Sequence, residues 1–370
     1  MNLNTLAQNV RRARTSKKLS QKALAEAAGI SLPSVKNLEN QKCEPRMATV
    51  QSIAGALEVP LKDLFAPVRE LKTVRFRSSR RMQTRENILA DVSRWLEDFN
   101  ALEGLLEARI SFKLKGVRSR CSRVNLAESA HFCRKSLGRS ETEPIHDACG
   151  LLEHAGIKVL PLSTASDGFF GLSLGEEDGG PAVVVNVYER ISVERQIFSA
   201  AHELGHLVLH PNAYDVRQSE ENEQEEAEAN FFAGHFLMPE SGFWKEWNEA
   251  AGLHGVDRVF KVKRIFRVSY KTVLARLLEH EIVDKSIWAK FNTAYQKRFR
   301  RKLPFKEEPM GLEPAEPFGI HRFDFYEDRF SRLTRRAVEE GKISLGRGAE
   351  ILRIGVGEMR ELLSSWEAIL

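Results

Sequence analysis

Cysteine is scarce in this chain of 370 residues. Its four thiols, Cys43, Cys121, Cys133 and Cys149, form no Cys-x-x-Cys pair. That excludes a dense disulfide framework and a zinc site built from paired cysteines, and it fits reduced thiols in a cytosol. Long apolar runs are also missing. No stretch approaches the roughly eighteen consecutive apolar residues of a membrane-spanning helix. Residues 1–14 are polar and basic, without the apolar segment or small-residue cleavage site of a secretory signal, so a cytoplasmic location is expected. Charge of one sign is not in large excess. The net charge is +5, with positive residues concentrated in the first quarter and negative ones near position 225. What is present is a globular composition, 42% hydrophobic and 29% charged, in a chain long enough for about two or three domains.

Residues 1–66 read as a set of short helices. Leu3, Leu6, Val10 and Ala13 mark one apolar face, Leu24, Ala25 and Ala28 a second, Val35 and Leu38 a third, and Val50, Ile53, Ala54 and Leu57 a fourth. Spacings of three and four are helical. Ser20 and Ser31 stand where N-caps belong, and Gly29 stands where a tight turn is needed. This helix-turn-helix cadence over 19–31 resembles the phage repressor/Cro-like family, with Arg11, Arg14, Glu39, Pro45 and Leu57 to Phe65 extending the likeness. The resemblance implies binding to double-stranded operator DNA, usually as a homodimer on two half-sites. It places a recognition helix at about 31–40. Ser31, Leu32, Pro33, Ser34, Lys36 and Asn37 are its candidate DNA contacts, and Gln21 opens the preceding helix as a candidate backbone contact. Leu32 and Pro33 depart from the polar base-readers common in the family. Proline is tolerated in a first turn, and leucine can meet a thymine methyl.

Residues 67–144 read as a basic connector followed by a helical linker. The connector, 67–86, holds seven arginines and lysines against two glutamates, which suggests a solvated face or contact with DNA backbone. Helical patterns cover 87–112 and 124–155. Strands are expected at 156–160, 168–174 and 182–187, the last nearly all β-branched and preceded by Gly179, Gly180 and Pro181. Helices dominate from Val193 onward. The fold class is therefore mainly α with a small β-sheet (α+β): an N-terminal helix-turn-helix bundle, a central domain over 145–250, a helical segment over 251–300, and a linker with a C-terminal helical unit over 301–370.

The central domain carries His202-Glu203-Leu204-Gly205-His206 inside a helical pattern. His-Glu-x-x-His on a helix sets two imidazoles one turn apart on one face, where both can bind one metal ion. The glutamate between them projects toward the open coordination position and can take a proton from the attacking water. A third ligand is needed. A metzincin would continue with glycine at 209 and histidine at 212, but Leu209 and Asn212 stand there. His210 lies roughly 12 Å along a continuing helix from His202, too far to share the ion. The acidic run 223–233 is the best source, with Glu223, Glu225, Glu226 and Glu228 as candidates.

The ordered set of a Val-Asn strand, Arg195-Gln196, the His-Glu-Leu-Gly-His segment, Asn230, Ala233 and Leu237-Met238-Pro239 resembles the ImmA/IrrE family of metallopeptidases over roughly 145–290. That resemblance implies a gluzincin-like zinc metallopeptidase domain acting on or beside repressor-type regulators. Carried over by position, it makes Glu226 the third Zn²⁺ ligand with His202 and His206, Glu203 the catalytic base, and Asn230 a hydrogen-bond partner of a ligand. Glu223, Glu225 and Glu228 then read as a solvated acidic face. Strand 183–187 is either an edge that adds a substrate strand or sheet core. His210 and His235 are candidate oxyanion groups or structural residues.

Residues 260–278 read as helix, turn and capped helix, and 342–352 repeat that cadence, with structural or dimer-forming roles favoured. Two functions are expected from the whole. One is a DNA-binding transcriptional regulator whose zinc-dependent endopeptidase cleaves a regulatory protein: a repressor, an antitoxin-like partner or the chain itself. The other is a non-proteolytic transcription factor or antitoxin whose zinc domain is a sensor or scaffold. Neither engages a membrane.

Overall fold

The computed structural model describes residues 2–17, 19–66, 71–75, 85–165, 168–211, 214, 222–303 and 316–367. The chain divides into two compact units. The first comprises 1–71 and 82–97, and the second comprises 72–81 and 98–370.

The first unit holds α1 (Leu3–Ser16), α2 (Gln21–Ala27), α3 (Leu32–Glu39), α4 (Met47–Leu57) and α5 (Leu61–Phe65). Leu6, Val10, Leu24, Val35, Leu38, Val50, Ile53 and Leu57 form its core, as their helical spacing predicts. The Ser20 hydroxyl accepts from the Ala23 amide at 3.0 Å, and that of Ser31 from the Ser34 amide at 3.2 Å, so each caps the helix it precedes. Gly29 turns the chain with φ +63°, a left-handed conformation that costs a glycine little. One ion pair, buried at its Glu39 end, ties α1 to α3: Arg14 donates to Glu39 at 2.6 and 3.0 Å. Asn9 donates to the carbonyls of Asp63, Leu64 and Ala66, which fastens α5 against α1.

The second unit contains a mixed four-stranded sheet of order β1-β3-β4-β2, made of β1 (Val74–Arg75), β2 (Lys158–Leu162), β3 (Gly171–Leu174) and β4 (Ala182–Asn186). β1 and β4 each run antiparallel to β3, and β2 runs parallel to β4. Two readings that the sequence leaves open are decided here. The 182–187 strand is not an edge: β4 lies between β3 and β2 and every residue of it is buried, because both of its backbone rims are already paired. The basic connector is not wholly solvated either. Val74 and Arg75 pair with Leu174 and Ser173, and both are buried. Arg69, Arg77, Arg80 and Arg81 of the connector lie outside the described residues.

Helix α6 spans Arg85–Leu105 rather than reaching 112, and 124–155 resolves into α7 (Leu126–Ser136) and α8 (Ala148–His154). Against the sheet packs α9 (Val193–Leu209), and against α9 packs α10 (Glu223–Leu237). α11 (Glu240–Glu249), α12 (Gly255–Phe266), α13 (Tyr270–Glu279) and α14 (Ile287–Phe299) follow. Val259, Val262, Tyr270, Val273 and Phe291 belong to the same core as Val183, Ile197 and Phe232, so the 251–300 segment is built into the central domain. The chain ends in α15 (Arg329–Glu339), α16 (Leu345–Leu352) and α17 (Val356–Glu367).

Two buried polar clusters hold the C-terminal part. In one, Lys263 of α12 reaches Glu194 of α9 and Glu316, each at 2.8 Å, and the Pro317 carbonyl at 3.1 Å. In the other, Glu153 of α8 meets Glu327. Burial, then the Glu327 carboxyl and the charge of Asp328, push the Glu153 carboxyl up to about 9 against an opposing pull from Arg329. A carboxyl raised in the folded state binds its proton more tightly there than when unfolded. Its stabilising contribution is thus complete below the ordinary glutamate value of 4.5 and is lost as pH climbs through about 9. Urea unfolding from pH 5 to 9 should show the wild type losing stability across this window. The Glu153→Gln variant should show a flatter profile, and an unchanged slope would mean that the pair is not the titrating element.

Candidate metal centre

Helix α9 begins at Ser192, whose hydroxyl accepts from the Arg195 amide at 3.3 Å, and it runs unbroken through the His-Glu-x-x-His segment. Helix α10 begins at Asn222, whose side chain accepts from the amides of Gln224 and Glu225. The two helices come close because Gly205 has no side chain. A Cβ there would stand 3.0 Å from the Phe232 ring and 3.4 Å from Ala229 Cα. That contact brings the first turn of α10 beside His202 and His206.

Three donors converge as a result. The Nε2 atoms of His202 and His206 face each other at 3.0 Å, and the Glu226 carboxylate lies 3.2 Å from each. His202, His206 and Glu226 are the group among the described residues whose ligand atoms lie close enough together to hold one ion. Burial keeps the His206 imidazole neutral, with its pKa well below the usual histidine value. Burial also pushes the Glu226 carboxyl upward, but the adjacent His202 and His206 imidazoles outweigh it and hold the group ionised, well below the usual carboxylate range.

Hydrogen bonds behind the rings set the tautomers. Asn230 Oδ1 accepts from His202 Nδ1 at 3.0 Å. The Glu228 carboxylate accepts from His210 Nε2 at 2.8 Å, so His210 Nδ1 is the acceptor for His206 Nδ1 at 2.9 Å. Both Nδ1 atoms thus carry the proton and both Nε2 lone pairs face Glu226, as coordination requires. Two imidazoles, a carboxylate and an open side form the donor set of a catalytic zinc site, so the residues present fit that ion.

Glu203 points into the same cleft from the sheet side. It fits because Gly171 leaves space: a Cβ on Gly171 would stand 3.2 Å from Glu203 Oε1 and 3.0 Å from the Val184 carbonyl. Ser173 hydrogen-bonds the Glu203 carboxylate and itself receives the Tyr214 hydroxyl at 3.0 Å. Burial raises the Glu203 carboxyl to about 7. Its Oε2 is buried with no hydrogen-bond partner among the described residues.

Some of the surroundings differ from the sequence-based expectation. Glu225 and Glu228 are buried rather than solvated, because α10 inserts its first turns between arginines. Arg75 lies 2.7 Å from Glu225 and 3.5 Å from Glu226, and Arg123 lies 2.7 Å from Glu228. In the sequence Arg75 is one of the seven basic residues of the connector, and a two-residue strand has no periodicity that would place it in the sheet. His210 ends α9 and stays outside the converging donors, as its distance predicted. His235 lies away from the cleft beside Glu279 and Arg276.

In the first unit, Ser31, Pro33 and Lys36 are exposed, while Ser34 and Asn37 are half-buried. Leu32 is half-buried against the helical core, so only part of its side chain remains for a base. Gln21 donates to Glu39 at 2.7 Å, which engages the amide inside the unit.

Residues 152–278 match the family described as IrrE N-terminal-like domain (Peptidase M78), and residues 10–64 match the family described as Helix-turn-helix. No curated protein matches the sequence. Among solved structures, the crystal structure of ComR from Streptococcus suis is 12% identical, with 99% of this chain and 96% of that chain covered. Its TM-score of 0.17 is too low to carry an argument.

Proposed function

For a chain that joins a repressor/Cro-like helix-turn-helix domain to an ImmA/IrrE-type peptidase M78 domain, we propose a DNA-binding transcriptional regulator with a zinc-dependent endopeptidase that cleaves a regulatory protein. That protein is a repressor, an antitoxin-like partner or the chain itself. The observation that carries this reading is the convergence of His202, His206 and Glu226 beside a buried Glu203.

In this reading His202, His206 and Glu226 hold the ion. Zinc, when bound, supplies Lewis acidity to the scissile carbonyl and to water. Glu203 takes the proton of the attacking water and returns it to the leaving amine. Its raised carboxyl suits both steps, since a base poised near neutrality accepts and releases a proton readily. Ser173 and Tyr214 hold the carboxylate in line, and burial keeps bulk water from competing for it. In the DNA-binding domain, α3 is the recognition helix, with Lys36 exposed for phosphate contact. A dimer matches the two half-sites such domains read.

Incubation of the zinc-loaded chain with its co-encoded regulators tests the proposal. Cleavage that is lost in Glu203→Gln supports it. Regulation that survives Glu203→Gln, with no cleavage of any regulator or of the chain itself, replaces it with the sensor reading. Arg75 favours that second reading in one respect: it sets a guanidinium 3.5 Å from Glu226, in the cleft itself.

Asn230→Ala provides a finer check. Without the acceptor at His202 Nδ1, the imidazole loses the bond that fixes its tautomer. Zinc affinity, measured by competition with a chromophoric chelator, should fall about 10–100-fold. Unchanged affinity would remove Asn230 from the site.

A further inference from the structure

Beside the candidate metal centre, and sharing Arg195, Phe198 and Asn230 with it, runs a groove of about 690 Å³ between α9, α10 and the α13–α14 pair. The metal cleft itself is about 120 Å³. That is room for a carbonyl and a water but not for the residues that flank a scissile bond. A polypeptide lying across the metal must therefore place its neighbouring side chains in adjoining space. The groove is such a space, and most of its wall surface is apolar: Ala227, Phe231, Ala275, Leu278 and Trp288 line it beside charged groups such as Lys271 and Glu279. Trp288 is 39% exposed, which leaves part of its ring for an occupant.

We infer that this groove is the specificity subsite for a bulky apolar side chain, of the leucine or phenylalanine class, adjacent to the scissile bond of a polypeptide substrate. The inference rests on the endopeptidase reading above. The occupant is a substrate chain rather than a diffusible lipid or a second copy of this protein, because the groove opens into the metal cleft. The helix that supplies Glu226 and Asn230 also supplies Ala227 and Phe231, so one element positions both the ligand and the subsite wall. A groove in the usual size range of ligand sites, with a polar cleft at one end, is what a cleavage site with one preferred side chain requires.

Binding tests this more directly than turnover. N-acetyl amino-acid hydroxamates that differ only in side chain (glycine, alanine, leucine and phenylalanine) are titrated calorimetrically into the zinc-loaded full chain. The leucine or phenylalanine compound should bind at least about ten-fold more tightly than the alanine compound, the discrimination an apolar pocket gives for a few added carbons. Ala275→Trp, at an exposed position of α13 that touches no proposed ligand, should fill the groove. It should abolish that advantage and leave the affinity for the glycine compound within about two-fold, which also shows that the variant is folded. Trp288→Ala should weaken the advantage from the opposite wall. Equal affinity for all four compounds, or an advantage that survives Ala275→Trp, overturns the subsite and leaves the metal centre standing. Failure of even the glycine compound to bind overturns both.

Discussion

Zinc content should separate the three central residues into two classes. After dialysis to remove loosely held metal, mass spectrometry of the wild type should find about one zinc per chain. His206→Ala and Glu226→Ala should find almost none, because each removes a third of the donor set. Glu203→Gln should retain the metal, since the carboxylate lies in the cleft without joining the converging donors. The same variant should lower hydrolysis of a quenched-fluorescence peptide library by about 10²–10⁴-fold, the usual contribution of a positioned general base. Full occupancy in Glu226→Ala would place the third ligand elsewhere. A metal-free wild type would make the domain a scaffold and favour the sensor reading.

Lys263→Met should produce the largest loss of stability. The lysine is buried between Glu194 and Glu316, which are themselves buried and accept backbone amides from Ile320 and Tyr270 respectively. Removing the cation strands two carboxylates next to each other in an apolar setting. Breaking a buried pair from one side costs about 3–5 kcal/mol, and chemical denaturation followed by tryptophan fluorescence should read that loss. The sign with pH is fixed by Glu316. Burial already raises its carboxyl to about 7 in spite of Lys263, and loss of the lysine raises it further. The deficit should therefore be greatest above neutrality and shrink as pH falls and the Glu316 carboxyl takes up its proton. A deficit that is small, or independent of pH, would mean that the cluster relaxes into solvent.

The legibility of this chain follows the range of the interactions involved. Helices with a repeating apolar face and a capping serine, such as α2, α3 and α13, are determined by neighbours a few residues away, and the pattern locates them. The His-Glu-x-x-His segment is equally local, because one helical turn fixes the relation of His202, Glu203 and His206. The resemblance of the chain to known metallopeptidases singled out Glu226, and the structure brings that residue to the two imidazoles.

Sequence by itself thus determined a helix-turn-helix unit, a mainly α second unit with a small sheet, and two histidines on one face. Tertiary structure decided what surrounds them. Glu225 and Glu228 read as solvated acids until Arg75, Arg123 and His210 arrive from distant segments to pair with them. Strand 182–186 read as a possible edge until β3 and β2 took both of its rims. Gly171 and Gly205 are silent as letters, yet each is the missing side chain that lets Glu203 or α10 approach. Such contacts join residues tens of positions apart, and periodicity along the chain carries no record of them. They exist only once the core has closed and buried charges must find partners.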